Sequence, residues 1–228
     1  LDEALAEMER VALSSQDQAA RRAVVATSLA GKVDSSLTDH LTDMALETAD
    51  ALASEEGGAD LERLRVKRLM IKDGSARESE IVHGMVLAKS RMDMVTPANS
   101  DGGRIAIIDG GLENDKLEFG ASIEVTSAGA LRGFHERARQ KLQEQVGLLK
   151  SLGVDLLVVR DGIAEESSTM LTDAGITAYR RFEREDLERL ARITGSAMVR
   201  DARRIKADDV GIYSSRSEQT FSGIKHTR

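Results

Sequence analysis

The sequence contains no cysteine, no tryptophan and a single proline, and only 3% of its residues are aromatic. Without Cys there is no disulfide framework and no thiolate metal site, which fits a reducing compartment such as the cytosol. With Phe and Tyr this scarce, an aromatic platform for stacking nucleic-acid bases is not expected. No apolar run approaches the roughly 20 residues of a membrane-spanning helix, and no stretch near the first residue reads as a secretory signal. Positive charge is also short. There are 32 Lys and Arg against 39 Asp and Glu, a net charge of −7, with a pI near 5.3. A general nucleic-acid binder needs a basic face to displace counterions, so that class is set aside.

What remains is an ordinary globular composition, 41% hydrophobic over 228 residues, enough for one large or two modest domains. The first residue is Leu1, so the sequence is expected to be a piece of a longer protein or a processed chain.

The clearest pattern runs from Val154 to Arg181. Leu156–Val159 is an apolar run without polar alternation, as a strand covered on both faces requires. An amphipathic helix is predicted over Ile163–Ala174, stopped by Gly175, and a second extended run follows at Ile176–Tyr179. Strand, short helix, strand implies a parallel pair in a right-handed βαβ unit. The fold class is therefore α/β.

Elsewhere, helical spacing marks Leu1–Leu13, a segment ending near Ala30 with Gly31 as its stop, and Ser36–Ala53. Ser15 with Gln18 three residues on reads as a capping box for the second of these. Leu61–Lys72, Ile81–Leu87, Arg104–Asp109 and Ser196–Val199 read as strands, and Gly74–Glu80 as a domain boundary. Lys89–Gly103 holds the only proline and an Asp-Gly-Gly, the composition of a loop. A long helix opens at Thr126 or Ser127, with apolar positions Leu131, Phe134, Ala138, Leu142, Val146 and Leu149, and another covers Arg184–Thr194, closed by Gly195. Ile212–Arg228 is polar and carries no clear pattern.

Several of these segments carry a resemblance. Gly153–Ile163 (GVDLLVVRDGI), the helix after it, and Ala174–Val199 (AGITAYRRFEREDLERLARITGSAMV) are similar to the apical domain of the group II chaperonins, the archaeal thermosome and its eukaryotic cytosolic relatives. Arg180, Arg181, Leu190, Ala191, Thr194 and Gly195 stand at that family's pattern. Ala26–Lys32 (ATSLAGK) resembles the end of an intermediate-domain helix, Arg104–Ile108 an apical strand, and Ala207–Gly211 (ADDVG) the end of the apical domain. The likeness extends from Leu1 to Gly211.

The resemblance implies an apical-domain β/α fold with a helical protrusion at about 113–136, plus a smaller α+β intermediate domain. Residues 1–10 would be the tail of an equatorial helix, 11–79 the first half of the intermediate domain, 80–211 the apical domain, and 212–228 the chain returning to the intermediate domain. It implies capture of non-native polypeptides by a mixed apolar and polar surface. The residues at the matching places are Met92, Met94 and Val95 in the loop and Glu165, Ser168, Thr169 and Thr172 on the helix after the Leu156–Val159 strand. Leu131 and Phe134 would belong to the lid-forming protrusion, and Gly74 and Gly84 to the hinge. A whole subunit would be a cytoplasmic, ATP-driven folding machine using ATP and Mg, assembled with other subunits in a double ring. The family's Gly-Asp-Gly-Thr-Thr loop and its catalytic aspartate are not in this sequence. The chain alone is thus expected to have no cofactor and no ATPase activity. A short paralogue or a scaffold protein that binds a polypeptide partner without a nucleotide cycle is the alternative.

No other chemistry stands out. Gly31-Lys32 lacks the phosphate-loop spacing and reads as a helix end. His40, His83, His135 and His226 have no partners at metal-ligand spacing, so no metal is expected. Arg180 and Arg181, adjacent on a strand, would face opposite ways and pair with nearby acids.

Overall fold

The computed structural model describes residues 2–12, 17–53, 66–112 and 128–228, without the side chains of 128–132, 134 and 135. Its central strand is β1 (Gly103–Ile108). Parallel to it lies β2 (Leu156–Val159), with Ile105 opposite Leu156 and Ile108 opposite Val159. Then comes β3 (Thr177–Tyr179), parallel to β2. On the other side of β1 sit parallel β4 (Met198–Val199) and antiparallel β5 (Gly211–Tyr213). The order β3-β2-β1-β4 makes a mixed α/β sheet.

Three helices cover this sheet. They are α4 (Ala128–Ser151), α5 (Glu165–Asp173) and α6 (Arg184–Thr194). The twofold alternation of strand side chains decides which layer each residue joins. Ala106, Ile108, Leu157, Val159 and Ala178 meet Val146 and Leu149 of α4 and Leu171 of α5. Ile105, Ile107, Leu156, Val158 and Tyr179 point the other way, onto Phe182 and Leu187 of α6. Both faces are dry, which is why β1 and β2 read as unbroken apolar runs.

The chain divides into two compact units. The larger comprises Lys67–Met70 and Gly84–Arg228, the smaller Leu1–Val66 and Ile71–His83. In the smaller unit, α1 (Asp2–Val11) buries no residue. α2 (Gln18–Leu29) packs on α3 (Ser35–Leu52), and Thr42 and Leu52 are buried. Arg21 pairs with Asp50, and Arg22 with Asp43 and Asp39.

Several sequence expectations shift. Ser15 lies outside the described residues, and α2 is capped instead by Asp17, whose carboxylate accepts from the Ala19 and Ala20 amides. The amphipathic segment after β2 begins its helix only at Glu165, because Gly162 and Ala164 are occupied bonding to Leu112. Ile81–Leu87 is not a strand. Gly84 adopts a φ of 150°, and among the described residues only Leu87 finds a backbone partner, Thr227. The described part of Leu61–Lys72, residues 66–72, also forms no strand. Arg180 and Arg181 lie beyond the end of β3, so strand alternation does not govern them. Arg181 has a positive φ of 60°, and among the described residues Arg180 reaches only the Ile163 carbonyl at 3.5 Å. Ile212–Arg228 forms β5 and then a hairpin of β6 (Glu218–Phe221) and β7 (Ile224–Thr227), within the larger unit.

Candidate functional site

α5 is held by its inner face. Ser167 and Leu171 are buried, and the Ser167 hydroxyl donates to the Leu112 carbonyl at 2.9 Å. The outer face then follows from the 3.6-residue repeat. Glu165 and Thr169 are exposed, and Ser168 and Thr172 are half-buried. The Thr169 and Thr172 hydroxyls donate back to the carbonyls of Glu165 and Ser168. The Thr169 donor is thus spent on the helix, while the Thr172 hydroxyl also lies beside the Asp93 carboxylate. Glu165 sits in the first turn, where the helix dipole favours a carboxylate.

The loop after Leu87 comes alongside this helix. Asp93 folds its tip. The carboxylate accepts from the Val95 amide at 2.9 Å, the Thr96 amide at 2.7 Å and the Thr96 hydroxyl at 3.1 Å. Burial works against the charged form of Asp93, but these bonds, with Thr172 beside them, outweigh it and hold the carboxyl below its ordinary pKa. Met94 and Val95 are consequently pushed outward, 71% and 82% exposed. Met92 is not with them. Its side chain is half-buried against the core under α4 and α5, and its amide donates to the Ala178 carbonyl at 2.9 Å.

Asp93 thus ties the loop to Thr172 of α5, Met94 and Val95 stand exposed on the loop, and Met92 is an anchor beneath. Leu131 and Phe134 stand on the first turns of α4, with side chains outside the described residues, as are residues 113–127 of the expected protrusion. Gly74 lies in the smaller unit and Gly84 is the first residue of the longer segment of the larger unit.

A set of residues that the sequence did not suggest holds the loop in place. Arg91 and Glu218 form a buried ion pair at 2.6 Å, with side chains 8% and 7% exposed. Glu218 also accepts from the Arg91 amide at 2.8 Å and from the Tyr179 hydroxyl at 3.3 Å. Arg216 donates to the Pro97 and Ala98 carbonyls at 2.8 and 3.1 Å and to the Tyr179 hydroxyl at 3.1 Å. Thr227 donates to the Lys89 carbonyl at 2.8 Å. Burial raises the Tyr179 pKa, more than Thr227 and Arg216 lower it, so it stays a neutral phenol. A signal for the hairpin did exist. Phe221-Ser222-Gly223-Ile224 is a two-residue turn between apolar residues, and Ser222 and Gly223 both take positive φ.

A comparison with known proteins bears directly on this arrangement. The family model of the TCP-1/cpn60 chaperonin family matches residues 1–227. The chain belongs to that chaperonin family. Thermosome subunit 1 of Haloferax volcanii is 30% identical over 213 residues, 93% of this chain and 38% of the relative. Thermosome subunit beta of Aeropyrum pernix is 28% identical over 202 residues, 87% of this chain and 36% of the relative. The chaperonin chain therefore spans little more than a third of the length of these relatives. A solved structure, the open-state monomer of a group II chaperonin from Methanococcoides burtonii, superimposes with a TM-score of 0.71 at 22% identity. That match covers 99% of this chain and 51% of the other, and it shows the shared fold.

Gly31 has a left-handed φ of 70° and the Lys32 amide bonds to the Leu29 carbonyl, so this Gly-Lys pair closes α2 and cradles no phosphate. Among the described residues no three His, Asp or Glu side chains group to hold a metal ion, and no helix is long and apolar enough to cross a membrane.

Proposed function

We propose that this chaperonin chain captures non-native polypeptides through the loop tip at Met94 and Val95 together with Glu165, Ser168, Thr169 and Thr172 on α5. The single observation that carries the reading is two large apolar side chains held out in solvent by a well-bonded loop, beside a mildly polar helix, in a member of a chaperonin family. Unfolded chains expose apolar segments of no fixed sequence, and a flexible thioether adapts to them. Burying Met94 and Val95 on a client would remove apolar area from water at about 25 cal/mol per Å². Each such contact is weak, so several copies in a ring would add avidity.

In the whole subunit this segment would work within a cytoplasmic double ring that uses ATP and Mg, supplied by parts outside this sequence. The family resemblance supports that reading. Nucleotide-driven movement would tilt the substrate-binding unit about the chain near Gly74 and Gly84, and the segment at 113–136, with Leu131 and Phe134, would close over the client.

The test is light scattering of a chemically denatured model protein diluted into buffer with this chain, without ATP. Suppression of aggregation is expected, and replacing Met94 and Val95 by Ser should weaken it at least about threefold while leaving the melting temperature unchanged, as exposed positions allow. Equal suppression by the double variant would refute the assignment of the surface.

A further inference from the structure

We infer that the β6–β7 hairpin, through Glu218 and Arg216, is the element that positions the polypeptide-binding loop, and that these two are positioning residues for capture. The inference rests on the preceding reading only for its functional consequence.

The loop from Lys89 to Ser100 has almost no regular structure of its own. Apart from the Val95 and Thr96 amides, which bond to Asp93, most of its backbone bonds go to the hairpin segment. The Leu87 amide and carbonyl pair with Thr227, and the Lys89 carbonyl accepts from the Thr227 hydroxyl. The Arg91 amide donates to Glu218, the Pro97 and Ala98 carbonyls accept from Arg216, and Ser100 exchanges both backbone bonds with Arg216. Asn99 accepts from the Glu218 amide at 3.3 Å. Two of its residues are fixed directly by the sheet: Met92, whose amide bonds to Ala178 of β3, and Ser100, whose hydroxyl accepts from Tyr213 of β5 at 3.2 Å.

Two features show that this is more than ordinary packing. The charged anchors are buried where desolvation is costly, so each holds its geometry only if its partners stay in place. They also converge on one point, the Tyr179 hydroxyl, which meets Glu218, Arg216 and Thr227 at 3.3, 3.1 and 3.2 Å. Tyr179 is 2% exposed in the sheet. The hairpin therefore copies the position of the rigid sheet onto the loop. The same device reaches the tip, where Lys225 of β7 and Arg91 approach the Met94 sulfur at 3.6 and 3.9 Å. A change in the hairpin would release Met94 and Val95 without touching them.

The experiment uses the full chain with Glu218→Ala and, as a conservative rescue, Glu218→Gln, which keeps an acceptor for the Arg91 amide and the Tyr179 hydroxyl but loses the charge. Hydrogen exchange is followed at the amides of Arg91, Val95 and Thr96, and at Ile107 and Val158 in the sheet. Glu218→Ala should speed exchange at the loop amides at least about tenfold, the factor that losing a charge-assisted bond implies, with the sheet amides unchanged and Glu218→Gln intermediate. If Glu218→Ala does not fold, Glu218→Gln alone gives the same loop-against-sheet comparison. Unchanged loop exchange, or equal acceleration of loop and sheet, would overturn the inference. Client capture by the same variants is measured beside Met94→Ser. If Met94→Ser leaves capture intact, the polypeptide-binding reading fails whatever the exchange shows. If Met94→Ser weakens capture and the Glu218 variants do not, the reading stands and the positioning role fails.

Discussion

Replacing Leu157 by Ala probes the platform on which the candidate surface stands. Leu157 is fully buried in β2, and its neighbours in register are Ala106 on β1 and Ala178 on β3. One leucine thus fills the space above two alanines and supports the core under α4 and α5. Truncation would leave three alanines in a row across the sheet. Leucine-to-alanine changes in cores cost about 2–5 kcal/mol, and more where the site cannot collapse. We expect about 4 kcal/mol here. The assay is urea unfolding followed by far-ultraviolet circular dichroism. With a slope of about 2 kcal/mol per molar urea, the midpoint for the larger unit should fall by roughly 2 M. Leu157→Met, which keeps the volume, should cost less than about 1.5 kcal/mol. Leu5→Ala on α1, which buries nothing, should stay within about 0.5 kcal/mol. A loss below about 1 kcal/mol for Leu157→Ala would refute the account of a sheet sealed on both faces.

Two further outcomes follow from polar contacts. The Arg203 guanidinium holds the Asp201 carboxyl down to about 2, helped by the Arg203 amide and Gln145 and opposed by burial. The folded value is below the unfolded one, so this stabilisation is complete above pH 4 and is lost as pH falls towards 2. It is worth at most about 2 kcal/mol, since Asp201 is partly solvated. Asp201→Asn should lower stability at neutral pH and flatten the acid limb, as read by thermal melts from pH 2 to 7; an unchanged acid limb would contradict it. Asp17→Ala removes the acceptor for the Ala19 and Ala20 amides and should cost about 1 kcal/mol, visible as faster exchange in the first turn of α2. No change there would mean that the cap contributes nothing.

Much of the larger unit was legible because its signals are local. Leu156–Val159 lacks polar alternation because both of its faces are dry, and Gly175 and Gly195 mark helix ends because only a residue without Cβ enters φ of 78° or 69° cheaply. Motifs around Arg180, Thr194 and Gly195 pointed to the chaperonin family for the same reason, since they lie on consecutive elements. Ile81–Leu87 has the sequence of a strand but not the partner, because only Leu87 pairs, with Thr227, and Gly84 takes a φ of 150°. Met92 and Met94 look alike in sequence. The Met92 amide bond to Ala178 turns one inward, and the Asp93 turn throws the other out. The sequence by itself determined the βαβ core, the helix stops and the family. Tertiary structure alone decided that Arg91 meets Glu218, 127 residues away along the chain, while Glu218 and Arg216 meet the Tyr179 hydroxyl. A buried charge finds its partner through the fold, and no spacing along the chain announces it.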